Sequence, residues 1–226
     1  MEKEFRNYGV NHLGLPGTLI DDYMINGIHK PKGLTPMIVE EREMNVTLIS
    51  VFDRLMKDRI IWLSSGIDDQ VATVIQAQLM FLDSVDHDQD ITLHINSPGG
   101  SVYAGLGVVD VMDYINSDIR TINTGMAASM GAVLLGGGTK GKRMSLKHSR
   151  TMLHHSSGGF GGNILDAKKD MEQWAKVNDD LFIILGDYCG KSAKQIKKDA
   201  ERDNWLTASE AVKYGIIDEV ITNKKD

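Results

Sequence analysis

The sequence predicts an α/β fold built on a largely parallel sheet, and the alternation of two kinds of segment carries this prediction. Short apolar segments of strand length alternate along the chain with longer segments whose apolar residues recur every three or four positions. Such alternation produces parallel sheets with helical crossovers, in which ligand sites lie beyond the carboxyl ends of the strands. The 226 residues suffice for one main domain, and 42% hydrophobic with 25% charged residues is a globular composition.

The elements of the first half follow from apolar spacing and turn residues. In chain order we predict a helix from about residue 47, a strand over 60–63, a helix over 71–82, a strand over 91–96, a helix over 101–115 and a strand over 119–124. The turns after Asn96 and Thr124 end two of these strands. A functional site is therefore expected at those two turns.

The second half is predicted in the same way. Its elements are a strand over 152–155, a helix from Asn163 to about Cys189, a short helix from Thr207 to Gly215 and a strand over 216–221. Asn163 with Asp166, and Thr207 with Glu210, have the spacing of helix-capping pairs. The first of these helices exceeds 20 residues, which is long for a globular protein.

Composition weighs against several classes of function. The formal net charge is −6 with a pI near 5.6, and no Lys/Arg cluster interleaves with aromatic residues, so nucleic acid is not an expected partner. Cys189 is the single cysteine, which excludes an intrachain disulfide and fits a reducing, cytoplasmic location. No signal-peptide core or stretch of roughly 20 apolar residues occurs, so neither secretion nor membrane insertion is expected.

A serine on a small-residue turn is the first candidate for chemistry. Ser129 lies in Gly125-Met-Ala-Ala-Ser-Met-Gly-Ala132, between a predicted strand and an apolar run. A serine there would lie at a helix N-terminus, where free N–H groups favour the negative charge of an acyl-transfer oxyanion. The segment is not the G-x-S-x-G elbow of α/β-hydrolases. Taken alone, it is better explained as a turn that packs a helix closely.

A nucleophilic serine needs a base, normally a histidine oriented by a carboxylate. His154 ends an apolar segment beside a glycine-rich stretch, although a histidine satisfied at a strand end is the alternative explanation. His155 follows it, but adjacent strand residues point to opposite faces, so no shared metal ion is expected. Asp203 is one of many acidic candidates, and spacing alone does not separate it from a solvated residue at a helix end.

The turn Pro98-Gly99-Gly100 is a candidate for a second oxyanion donor. It follows the strand predicted over 91–96, and glycine lets the backbone approach a substrate closely. A plain tight turn between a strand and a helix is an equally good explanation from the residues alone.

Together these segments resemble the proteolytic subunits of the Clp protease family, which are self-compartmentalised serine peptidases. The resemblance covers about residues 33–222. Its motifs are Gly33-Leu-Thr-Pro-Met-Ile-Val-Glu40 at the family's mature amino terminus, Ile95-Asn-Ser-Pro-Gly-Gly100 at the oxyanion turn, Gly125-Met-Ala-Ala-Ser-Met-Gly131 at the nucleophile, Met152-Leu-His154 at the base, and Glu201-Arg-Asp203 with Leu206-Thr-Ala at the acid. Four chemical motifs in the right order make the resemblance specific.

The resemblance implies an activity and its residues. Ser129 would be the nucleophile, His154 the general base and then acid, and Asp203 the orienting carboxylate. The N–H groups of Gly100 and Met130 would form the oxyanion hole. The implied activity is serine endopeptidase cleavage of unfolded polypeptides, with no cofactor and no metal ion.

The resemblance also implies a fold, an assembly and a partner. The fold would be crotonase-like, with repeated β-α units and a protruding handle helix and strand; the peptidase domain would span 33–226, with the handle at about 156–189. Two stacked heptameric rings would enclose a chamber fed by a Clp-family AAA+ ATPase. The glycine-rich segment Gly158–Gly162 would lie beside extended substrate. Side chains of the handle helix available for ring packing are Ile164, Leu165, Met171, Trp174 and Leu181.

Three features depart from the family pattern or lie outside it. Residues 1–32 are predicted to be an irregular arm outside the resemblance, and a propeptide removed by self-cleavage. Thr92 and His94 replace aromatic residues that usually line the docking pocket for the ATPase. His155-Ser156-Ser157 stands where Gln-Pro-Leu is common.

Two other functions remain as alternatives. A crotonase-like enzyme acting on an acyl-CoA thioester would also use backbone N–H groups as an oxyanion hole, but it would not need a triad. A non-catalytic ring subunit would be expected to lack triad members.

Overall fold

The computed structural model describes residues 8, 10–11, 17, 37–42, 45–159 and 161–222, and between 37 and 49 it describes the backbone alone. These residues form two compact units, one up to Asp58 and one from Arg59. In the predicted arm, residues 8, 10 and 11 and residue 17 are helical. The rest of the arm lies outside the described residues.

The first unit contains an antiparallel pair of strands followed by a short helix. Strand β1 (Met37–Arg42) pairs with β2 (Asn45–Ser50), and helix α1 (Val51–Lys57) follows directly. The helix expected from Thr47 therefore begins later. The stretch before Ser50 contains several β-branched residues, which favour strands. Ser50 then caps the helix by accepting a hydrogen bond of 3.0 Å from the Asp53 N–H.

The second unit alternates strands and helices. Its elements are β3 (Ile60–Leu63), α2 (Asp69–Val85), β4 (Ile91–Ser97), α3 (Val102–Tyr114), β5 (Ile119–Ala128), α4 (Met130–Gly136), β6 (Arg143–Leu146), β7 (Arg150–Leu153), α5 (Ile164–Cys189), α6 (Ala193–Asp199), β8 (Asn204–Thr207), α7 (Ala208–Tyr214) and β9 (Glu219–Ile221). Every helix predicted here from apolar spacing is present. Strands β6 and β8 were not predicted.

One sheet of seven strands organises this unit. Its main path runs β3-β4-β5-β6-β9 with parallel pairing throughout, while β7 pairs in parallel with β5 and antiparallel with β8. The predicted α/β class is thus confirmed. Because β4 and β5 are central and adjacent, the turns that follow them lie at the same edge of the sheet.

The core explains why the elements sit where they do. Ile91, Leu93 and Ile95 of β4 are 0% exposed, and they alternate with the half-buried Thr92 and His94. This alternation places the hydrophobic side of the central strand against packed helices.

The caps predicted from sequence are also present. Asn163 accepts hydrogen bonds from the N–H groups of Leu165 and Asp166, and Gly190 ends α5 in the left-handed conformation with φ 66°. At α7 the Thr207–Glu210 capping box forms in both directions. Among the described residues, no helix has the length and apolar character needed to cross a membrane.

Candidate active site

Ser129 forms the turn between β5 and α4, and its geometry is unusual. Its φ of 55° and ψ of −124° place a non-glycine residue in a sparsely populated region, which persists only when the surroundings fix it. Here the Ser129 N–H donates to the Met152 carbonyl at 2.9 Å, and all seven residues of α4 are buried. The backbone is therefore locked while the half-buried side chain remains accessible.

The Ser129 hydroxyl differs from those of the other serines at helix starts. Ser50, Ser101 and Ser192 each accept a hydrogen bond from a backbone N–H of their helix, as N-cap serines usually do. Ser129 occupies the same position of α4 and makes no such bond. Its oxygen is thus left available for another partner, so Ser129 does not act as an ordinary helix cap.

The glycine turn after β4 packs directly against this serine. A Cβ on Gly99, whose φ is 92°, would lie 2.7 Å from both the Ala128 carbonyl oxygen and Ser129 Cβ, so only glycine fits. The fully buried Ser97 holds the turn, because its Oγ donates to the Ser65 carbonyl at 2.6 Å and accepts from the Gly99 N–H at 3.1 Å. Sequence reasoning did not assign this role to Ser97, although it lies within the same motif.

Two backbone N–H groups beside Ser129 are without an acceptor in the described part of the chain. Gly100 bridges to Ile67 through the flanking Gly99 carbonyl and Ser101 N–H, which leaves its own N–H unused. Met130 is the first residue of α4, where the N–H has no partner within the helix. Both residues line the same cavity as Ser129.

His154 and Asp203 are brought together by the antiparallel pairing of β7 with β8. Leu153 faces Asn204 in the register, so the residues just beyond and before them become neighbours. His154 Nδ1 lies 3.4 Å from Asp203 Oδ1, with the two side chains 26% and 64% exposed. In the described part of the chain, no hydrogen bond joins the Ser129 hydroxyl to His154.

One cavity of about 370 Å³ is lined by the nucleophile, base and oxyanion-hole candidates, but Asp203 is not among its lining residues. Ser129 and His154 both line it, between the sheet edge and α5. Its apolar wall consists of Val133, Leu153, Leu181, Phe182 and Leu185, and its polar rim includes Ser156, Ser157 and Asn178. Within the described residues, no cluster of three or more His, Cys, Asp or Glu side chains could hold a metal ion.

One family model and several known proteins are similar to this chain over most of its length. The family model described as Clp protease matches residues 41–224. ATP-dependent Clp protease proteolytic subunits from Porphyromonas gingivalis (strain W83) and Bacteroides fragilis (strain YCH46) are 48% and 50% identical, over 98% of this chain and 99% of each relative. A further Bacteroides fragilis subunit (strain NCTC 9343) is 52% identical over 84% of this chain and 92% of its own length.

The chain belongs to the Clp protease family. The predicted family, fold class and serine-peptidase activity are thereby confirmed. The alignments with these relatives cover 98% of the chain and therefore include most of residues 1–32, whereas the family model begins at residue 41.

Thr92 and His94, the departures from the family pattern on β4, lie beside strand β3. Trp62 of β3 lies directly opposite His94 of β4, and their rings stack at 4.4 Å with an angle of 9°. Burial lowers the pKa of His94, which favours the neutral ring. Strand β3, at the edge of the sheet, thus places an aromatic side chain beside His94, a contact that sequence reasoning did not consider.

The helix α5 corresponds to the predicted handle helix. Ile164, Leu165 and Met171 are 88%, 75% and 62% exposed, as expected for side chains available to a second subunit. Leu181 is only 7% exposed and, with Trp174, lines the cavity of its own chain. The buried Leu181 is therefore removed from the set expected to pack between rings, while Trp174 is half-buried.

Proposed function

We propose that this Clp-family chain cleaves peptide bonds with Ser129 as nucleophile, His154 as general base and Asp203 as orienting carboxylate. One observation carries the proposal. Ser129, at the N-cap of α4 and with no capping hydrogen bond from its hydroxyl, lines the same cavity as His154, whose ring contacts the Asp203 carboxylate. Nucleophile, base and orienting group are the parts required for acyl transfer by serine.

The proposed reaction begins when Ser129 Oγ attacks the carbonyl carbon of the scissile peptide while its proton passes to Nε2 of His154. Asp203, beside Nδ1, stabilises the imidazolium that forms. The N–H groups of Gly100 and Met130 donate hydrogen bonds to the oxyanion, each worth about 10²- to 10³-fold in rate in comparable enzymes. His154 then protonates the amine leaving group as the C–N bond breaks.

Deacylation uses the same groups in reverse. Water attacks the Ser129 ester while His154 removes its proton, and collapse of the second tetrahedral intermediate releases the new carboxyl end of the product and restores the serine. The hydrogen bond between the Ser129 hydroxyl and His154 is expected to form when substrate or neighbouring subunits close the cavity, since catalytic hydrogen bonds often tighten only in the complex.

The proposed substrate is unfolded polypeptide, the proposed assembly is two stacked heptameric rings, and the proposed partner is a Clp-family AAA+ ATPase. The relatives are named subunits of an ATP-dependent protease, which supports a partner that supplies the ATPase activity. The exposed apolar residues of α5 support contact between rings, and the Trp62–His94 face supports docking of the partner.

We propose that the peptidase domain begins at residue 33 and that residues 1–32 are a propeptide. The segment Gly158–Gly162 is proposed to lie beside the extended substrate. The single cysteine supports a cytoplasmic location.

The test is labelling with a fluorophosphonate probe, read by intact mass spectrometry, with oligomer size measured on the same samples. Wild type should gain one probe mass, while Ser129→Ala and His154→Ala should not. Ser192→Ala is the matched control, because it removes another N-cap serine; it should label normally while losing about 1 kcal/mol of stability.

The same masses test the propeptide, because self-cleavage should shorten wild type and leave Ser129→Ala at full length. Labelling at another residue overturns the assignment of Ser129. A wild type that neither labels nor hydrolyses peptides, while assembled, overturns the catalytic proposal in favour of a non-catalytic ring subunit.

A further inference from the structure

A polar cluster outside the triad connects the segment after His154 to helix α5. We call it the amide clamp; it consists of His155, Ser156 and Asn178. Asn178 Oδ1 accepts hydrogen bonds from the Ser156 N–H at 3.0 Å and from its Oγ at 2.7 Å. On the other side of the amide, Asn178 Nδ2 lies 3.4 Å from His155 Nδ1.

The partners of the clamp assign its protons. A backbone N–H can only donate, so the side-chain atom of Asn178 that faces Ser156 must be the oxygen, and its NH₂ group must face His155. His155 Nε2 lies 3.2 Å from the Lys197 carbonyl, which can only accept. The two contacts fit the tautomer in which His155 Nε2 donates to the Lys197 carbonyl and Nδ1 accepts from Asn178 Nδ2.

The clamp reaches the acid as well as the base. The His155 N–H donates to the Ala200 carbonyl at 3.1 Å, so His155 binds two carbonyls at the end of α6, shortly before Asp203. Its ring also packs edge-on against Phe182 of α5 at 4.8 Å. The clamp thus fixes α5, the exit of β7 and the end of α6 to one another.

The segment that the clamp holds has little other support. Strand β7 ends at Leu153, and the described residues from His154 to Gly159 belong to no helix or strand. A base placed just beyond a strand end needs a neighbour that fixes the following backbone, because small displacements at a reacting group can cost up to about 10²-fold in rate.

We propose that Asn178 is a positioning residue for the general base, holding the backbone after His154 so that its imidazole is directed between Ser129 and Asp203. This proposal rests on the function proposed above for those three residues. Within the described residues, the hydrogen bonds of the Asn178 side chain go to Ser156 and His155 and not to Ser129 or His154, so it acts through its two neighbours. Its short amide offers an acceptor and a donor on opposite sides, a combination that a carboxylate or an aliphatic side chain does not supply.

The test compares Asn178→Ala with Gln173→Ala, which removes an exposed amide from the same helix. Both proteins are measured as assembled wild-type-sized particles with a short peptide substrate and the fluorophosphonate probe. Asn178→Ala should lower kcat and the labelling rate by about tenfold, a fraction of the effect of general-base catalysis, with KM changed less than about twofold. Gln173→Ala should match wild type.

A double variant separates positioning from a purely structural role. In a His154→Ala background, Asn178→Ala should have no further effect on the residual rate, because residues that act through one another are not additive. A structural defect would lower the rate in both backgrounds. Asn178→Asp keeps the acceptor for Ser156 and should recover part of kcat, whereas Asn178→Leu should not.

Several outcomes overturn the proposal. They are a kcat for Asn178→Ala within about twofold of wild type, a loss confined to KM, or an equal loss in the His154→Ala background. If Asn178→Ala does not assemble, Ser156→Ala removes one of the two bonds to the same oxygen and should lower kcat about threefold, which is a partial loss of the same positioning. A wild type without labelling or hydrolysis is distinct from these results, since it removes the proposed function itself.

Discussion

The two halves of the candidate site are held in contrasting ways. On the Ser129 side, the nucleophile turn packs against Gly99 at a distance that excludes any side chain, and the buried Ser97 fixes the facing turn. On the other side, His154 and Asp203 lie beyond strand ends, with 26% and 64% of their side chains exposed and 3.4 Å between the nearest atoms. One half is part of the core, and the other lies at its edge.

This contrast indicates where preorganisation resides in a single chain. The oxyanion donors and the serine backbone are fixed by packing between two central strands, so they cost little reorganisation during the reaction. The base and acid depend on a short antiparallel pairing and on the amide clamp. We therefore expect changes in the first half to affect rate through lost geometry, and changes in the second half to be more graded.

The largest loss is expected when the packed half is forced apart. Gly99→Ala would place a Cβ 2.7 Å from Ser129 Cβ and from the Ala128 carbonyl, so the two turns must separate. Probe labelling and kcat should fall by about 10³-fold, as expected when an oxyanion donor is displaced.

A second glycine provides the matched control for that variant. Gly141 has a φ of 87°, close to the 92° of Gly99, but a Cβ there meets nothing within 4 Å. Gly141→Ala therefore tests the backbone strain alone, at about 1 kcal/mol, and should keep its activity. Equal losses of activity in the two alanine variants would mean that close packing against Ser129 is not the cause.

A smaller loss is expected in the exposed half. Asp203→Asn should lower kcat about 10²-fold, less than the roughly 10⁴-fold seen for a buried triad aspartate, because water can partly replace an exposed carboxylate. The matched control is Glu201→Gln, a nearby exposed carboxylate. Steady-state kinetics on a peptide substrate decides between the two. A loss of 10⁴-fold would show that Asp203 is buried in the working assembly, which would reverse the contrast between the halves.

The same contrast explains how far the sequence could predict the site. Ser129 and the turn before Ser101 were candidates from local pattern, because a strand, small residues and a helix follow one another directly. Asp203 could not be selected from residue spacing, since its position depends on the pairing of Leu153 with Asn204, and strand β8 was not predicted. Only resemblance to a family singled it out.

Contacts between distant segments limited the prediction elsewhere too. Asn178 lies 22 residues after Ser156 and on another element, and nothing in the spacing of polar residues links them. At residues 46–50 the helical spacing of apolar residues was misleading, because pairing with β1 continues the strand to Ser50. Local patterns thus predicted the nucleophile half better than the half that long-range pairing assembles.

The smallest effect on activity is expected from the ion pair that anchors the sheet away from both halves. Asp218 accepts from Arg143 Nη2 at 2.6 Å and from Arg143 Nε at 2.9 Å, while Arg143 is only 4% exposed and also donates to the Tyr188 carbonyl. Asp218→Asn should reduce the free energy of unfolding at pH 7 by about 3 kcal/mol, since it leaves a buried charge without its partner. Activity per folded molecule should stay within about twofold of wild type, because this ion pair holds neither the turn at Ser129 nor the glycine turn that packs against it.

The stabilising effect of this ion pair depends on pH through the Asp218 carboxyl group. Burial alone would raise the pKa of Asp218, but the hydrogen bonds from Arg143 outweigh it and keep the pKa below its usual value. Its stabilising contribution is therefore complete above the unfolded-state pKa of about 4, and it is lost as the pH falls through the lower folded-state value. Urea unfolding should show the free energy of unfolding of wild type falling toward that of Asp218→Asn at acidic pH.

The control variant is Asp179→Asn, which breaks an exposed pair with Lys197 and should reduce the free energy of unfolding by less than about 1 kcal/mol. If Asp218→Asn were instead as stable as wild type at pH 7 yet inactive, the ion pair would be part of the catalytic machinery, and the packed half of the site would extend to Arg143.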